Sequence, residues 1–176
     1  MRLFRPSDRR RRGRAGDRLR VAFVLLFLLL LEFYLRPSIV EGQHGLPDFL
    51  ILVLLLLAIR EEPGVGALTG FLIGLVIDVL TPARFGAGIL ANVLVGWGAS
   101  WGRSIFFADN ILVNGALFFI GTWVRDVLML LFSGTPLRAL PVEVLLWAPL
   151  QAMSTAVVGV VIVVIFRDWL AIRIEA

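Results

Sequence analysis

Seven ionisable side chains lie in or beside strongly apolar stretches of this chain: Glu32, Asp48, Asp78, Arg125, Asp126, Glu143 and the single histidine, His44. Carboxylates so placed could act as general acids or bases, hold a cation, or answer an arginine. A nucleophilic or metal-dependent reading finds little to work with. There is no cysteine, and one histidine cannot build a multi-histidine metal site. No GxSxG elbow, Walker A loop, HExxH pair or CxxC occurs. His44 stands among Gly42, Gln43 and Gly45, a loop context that reads as a solvated side chain. Glu61 and Glu62 fall in a short turn. The expectation is therefore a protein without catalytic residues, metal or cofactor.

The elements that position these groups follow from composition. Of 176 residues 59% are hydrophobic, and the mean hydropathy is +0.92. A soluble domain has about 45–50% apolar residues, and a chain of this size cannot bury the excess, so a lipid environment is implied. Six apolar segments cover about 19–35, 46–60, 64–80, 86–102, 110–132 and 142–166. Arg36-Pro37, Arg60-Glu61-Glu62-Pro63, Thr81-Pro82, Asp109 and Ser133-Gly134-Thr135-Pro136 separate them. We expect an all-α membrane protein of six transmembrane helices over 19–170, with cytoplasmic ends at 1–18 and 171–176. The second segment is the weakest span, short enough to be re-entrant, although crossing is the simpler expectation.

Charge sets the orientation. Residues 1–20 hold nine arginines against Asp8 and Asp17, whereas the rest of the chain has eight arginines and eleven acids. Lysine is absent, so the excess is permanent charge. An arginine-rich tail running directly into an apolar segment reads as a cytoplasmic topology signal that can also touch anionic lipid headgroups, and no nucleic-acid partner is expected. The segment after it ends in Glu32, Phe33, Tyr34, Leu35 and Arg36, without a small-residue cleavage site, and is expected to stay on the protein. Both termini are then cytoplasmic.

The stretch GVGALTGFLIGLVID repeats a small residue every fourth position, at Gly66, Gly70 and Gly74, and continues the stripe to Asp78. Such a stripe admits another backbone closely, which suits a helix at the centre of a bundle. Similar stripes run through Gly88, Asn92 and Gly96, and through Ala148, Ala152, Ala156 and Gly159. They are expected to pack within the chain. Arg125 is the one cation inside a span and should pair with Asp78 or Asp48 in a polar layer at the outer end, with Glu32 and Glu143 merely capping or snorkelling. Trp97 and Trp101 suit an interfacial belt better than a pocket.

These residues carry a resemblance. Pro47-Asp48 opening the second helix, Gly66, Gly70-Phe71, Gly74 and Asp78 in the third, and Gly86 opening the fourth resemble the core of the MreD family of bacterial rod-shape-determining membrane proteins. The resemblance implies a bundle similar to the substrate-binding component of energy-coupling-factor transporters. It implies a non-catalytic scaffold in the bacterial inner membrane that binds MreC and, through it, joins MreB, RodA and the elongation transpeptidase in lateral peptidoglycan synthesis. If the bundle receives a partner helix, the glycine faces become docking features. The alternative is a small-molecule-binding subunit of such a transporter, with its pocket at the polar end.

Overall fold

The computed structural model describes residues 22–34, 46–103, 111–134, 136, 138 and 140–166. The arginine-rich tail, His44 and the C-terminal residues 171–176 lie outside the described residues. Among those described there are six helices and no strand. They are α1 (Ala22–Tyr34), α2 (Phe49–Ala58), α3 (Pro63–Leu80), α4 (Ala87–Arg103), α5 (Ile111–Phe132) and α6 (Leu140–Ile165). Each apolar segment read from the sequence thus contains a helix among the described residues.

Their lengths differ more than expected. By length and composition α3, α5 and α6 can cross a membrane. The second segment, expected to cross, forms a helix of only 10 residues. At 1.5 Å per residue it rises about 15 Å, half of a ~30 Å hydrocarbon core. The reason lies at its ends. Asp48 is extended and caps the helix by accepting the amide of Ile51, and a turn closes it where Arg60 and Glu61 donate to the carbonyl of Leu57. Pro63 then opens α3, where its missing N–H costs nothing.

The short helix is also the core. All of α2 except Leu57 is buried, and it touches α3, α4, α5 and α6. A helix apolar on every side belongs inside other helices. Leu50 to Leu56 join Val24 and Leu28 of α1, Ile73 and Ile77 of α3, Val95 of α4, Phe118 of α5, and Ile162 and Val163 of α6. The centre expected for the third helix is thus taken by the second. α3 instead lies at the side, burying Gly66, Gly70, Ile73, Gly74, Ile77 and Asp78 and exposing Leu68, Leu72, Val76 and Val79.

α3 and α4 pack more extensively than any other pair. Thr81-Pro82 stops α3, a single 3-10 turn spans Pro82–Arg84, and Gly86 at φ +100° reverses the chain into α4. The two glycine stripes then meet antiparallel. A Cβ added at Gly66 would collide with Gly96, one at Gly70 with Asn92, and one at Gly74 with Gly88 and Ile89, each against backbone atoms closer than 3.0 Å. The small-residue stripe of α6 also faces inward, with Ala148, Ala152 and Gly159 buried and Ala156 partly so.

α6 begins irregularly. Glu143–Trp147 forms a π turn, in which Ala148 N–H donates to the carbonyl of Glu143. Pro149 has no N–H to return to Leu145, which favours a widened turn before it. The Trp123 indole on α5 donates to the carbonyl of Val144 at 3.1 Å and pins that turn.

Candidate functional site

Buried Glu32, Asp48, Arg125 and Thr155 gather at one end of the bundle, around the start of α2. A helix start leaves amide donors without partners, and in an apolar surround each must find an acceptor. Here the acceptors come from elsewhere in the chain. Phe49 N–H donates to Glu32 Oε2 of α1 at 3.1 Å, Ile51 N–H to Asp48 Oδ1 at 3.1 Å, and Asp48 N–H to Thr155 Oγ1 of α6 at 3.1 Å. The other oxygen of Asp48 accepts from Arg125 Nη2 of α5. Arg125 Nη1 also faces Asp126 Oδ1 at 3.3 Å. One guanidinium thus answers two carboxylates directly, with the carboxylate of Glu32 also in its field.

All members are shielded. Glu32, Asp48, Arg125 and Thr155 are buried, and the Arg125 side chain is 7% exposed. A buried ion pair costs its desolvation and gives little net stability, but losing one partner strands the other, at about 3–5 kcal/mol. The cluster therefore acts as a clamp. It fixes α1, α5 and α6 onto the first turn of the central helix.

Asp78 is not part of it. Of the two partners expected for Arg125, the structure selects Asp48. Asp78 caps the facing helix: Oδ2 accepts from Gly86 N–H at 2.8 Å and Ile89 N–H at 3.0 Å, and Oδ1 from Gly88 N–H at 2.9 Å. A carboxylate at a helix start also complements the helix dipole. It ends the α3–α4 seam just as the last glycine pair does, by using the space left beside Gly88.

The remaining expected residues fall in different places. Pro47 lies in the extended approach to Asp48 and is partly buried. Gly86 is the turn into α4. Phe71 is on the exposed flank of α3. Trp97 and Trp101 are exposed and stacked, with centroids 6.4 Å apart, on the outside of α4. The glycine stripes of α3 are covered by α4, so they are not the free docking face that a partner-receiving bundle would offer.

Sequence reading missed the part played by Glu32 and Thr155. Glu32 reaches from α1 to cap α2 rather than its own helix. Thr155 had a readable signal, since Gln151, Ser154 and Thr155 are the polar residues of the otherwise apolar stretch Ala148–Ile165 and Gln151 and Thr155 stand at i, i+4.

Two cavities open on the bundle, and only the smaller one borders the cluster. A groove of about 450 Å³ between α4 and α5 is lined by apolar residues such as Leu94, Leu117 and Ile120. A smaller cavity of about 180 Å³ at the polar end is bounded by Arg84, Asp126, Glu143, Trp147 and Gln151 among others. Among the described residues no three acids or histidines gather as a metal site would need. The arrangement can hold charge and bind polar groups; its carboxylate oxygens on Asp48 and Asp78 are committed to structure.

Compared with known families, residues 17–172 match the family model described as rod shape-determining protein MreD. No curated protein and no solved structure matches the chain.

Proposed function

The chain belongs to the MreD family, and from that premise we propose that it is a non-catalytic scaffold of the cell-wall elongation complex in the bacterial inner membrane. Its direct partner in this reading is MreC, with MreB, RodA and the elongation transpeptidase as further members. The family match over nearly the whole chain carries the proposal. The closed polar clamp supports it, because it makes a rigid bundle and leaves Asp48 without a free oxygen for acid or base work.

In this reading the arginine tail is cytoplasmic and the clamp end faces outward. The second half of the proposal is the count of crossings: α1, α2 and α4 complete the six-helix layout, α2 as a buried half-length element. The likeness to the binding component of energy-coupling-factor transporters belongs here too. The cavity beside Asp126 is the observation that favours this second reading.

Native mass spectrometry of the protein released gently from its own membranes tests both. A stoichiometric complex with MreC is the expected result. A lone protein that carries a small organic ligand would overturn the scaffold reading in favour of the transporter component.

A further inference from the structure

The cavity at the polar end has an unusual lining for so small a space. Arg84 supplies a cation from the turn after α3, and Asp126 and Glu143 supply carboxylates from α5 and α6, with Gln151 and the Trp147 ring beside them. Arg84 and Glu143 make no ion pair among the described residues. Asp126 is only half answered: Oδ1 faces Arg125, while Oδ2 is buried and accepts no hydrogen bond.

A ligand that completes this site must carry a donor cation for the acids and an anion for Arg84, on a short spacer. We infer that the cavity binds the phosphoethanolamine headgroup of a membrane lipid, with the ammonium at Asp126 and Glu143 and the phosphate at Arg84. Size and surroundings agree. At about 180 Å³ the cavity accepts a headgroup and not a folded segment. The apolar side chains beside its walls, Leu131 and Phe132 after α5's contribution and Leu145 and Leu146 within the π turn, are exposed where acyl chains would lie.

The chemistry also sets a preference. A primary ammonium donates hydrogen bonds that the carboxylates of Asp126 and Glu143 lining the cavity can accept, whereas the trimethylammonium of choline has no N–H to give. The site should therefore separate ethanolamine from choline lipids with identical chains. This inference rests on the membrane placement of the bundle and not on MreC binding.

The test is native mass spectrometry of the full-length protein released from nanodiscs of equal parts phosphatidylethanolamine and phosphatidylcholine. We expect one retained lipid per chain and a preference of about tenfold for ethanolamine, the size of one charge-assisted hydrogen bond. Glu143→Gln and Asp126→Asn should each reduce that preference. Because Asp126 also faces Arg125, Glu143→Gln keeps the test valid if the other variant misfolds. Equal retention of the two lipids by the wild type, or a preference unchanged in Glu143→Gln, overturns the inference. MreC association measured on the same samples is a separate readout, so its loss or survival bears only on the scaffold reading.

Discussion

Removing the Arg125 guanidinium should destabilise the bundle through Asp48 and not through Asp78, and a double-mutant cycle can show it. Arg125→Ala leaves Asp48 buried without its countercharge and strands Asp126 as well, which predicts a loss of about 3–5 kcal/mol. Asp48→Asn retains the cap on Ile51, since asparagine caps as well as aspartate, but removes the charge. Arg125 then still faces Asp126, so the loss should be smaller, about 2 kcal/mol. With both changes present, neither stranded charge at that pair remains, and the combined loss should fall short of the sum by about 2 kcal/mol. The control is Arg125→Ala with Asp78→Ala. These groups share no partner, so their losses should add within about 0.5 kcal/mol. Unfolding in mixed micelles with rising denaturing detergent, followed by tryptophan fluorescence, gives the four free energies of each cycle. Additive losses at positions 48 and 125, or equal coupling between 125 and 78, would refute the clamp.

Three further outcomes follow from the packing. Gly70→Ala should separate α3 from α4 and cost about 1–3 kcal/mol by overpacking, because the added Cβ meets the backbone of Asn92 and Val93 rather than a movable side chain; unfolding in micelles checks it, and Gly64→Ala, with open space around it, should be near neutral. Asp78→Ala should cost about 1–2 kcal/mol and speed hydrogen exchange at Gly86, Gly88 and Ile89 before the rest of α4. Trp97→Leu should change stability by no more than about 0.5 kcal/mol in the same micelle unfolding assay, since the indole is exposed on the outside of α4.

The sequence disclosed the helices and one of their contacts well. A four-residue repeat of small side chains fixes which face of a helix is close-packed, and the stripes on α3 and α4 did find each other. What the repeat cannot reveal is how a stripe meets the next turn. Asp78 continues the glycine stripe, which in the sequence makes it a partner for Arg125, yet the reversal at Gly86 brings three amides onto it first. The partners of Asp48 were out of reach for a different reason: Arg125 and Thr155 lie 77 and 107 residues away, and only the closed bundle brings them together. The length of α2 was hidden because an apolar run reads the same whether lipid or other helices surround it. Hydropathy identifies what avoids water, not what replaces it.

The clamp around Asp48 also bears on how the chain is made. Synthesis runs from α1 to α6, so the central helix is made when Glu32 and its own cap are already in the chain. Arg125 arrives with the fifth helix and Thr155 with the last. Until then the contacts of that helix start with α5 and α6 are unmade, and the core helix lacks most of its neighbours. The first turn of α2 is therefore completed only when the last helix docks, so the core is sealed by the final element made and not in the order of synthesis.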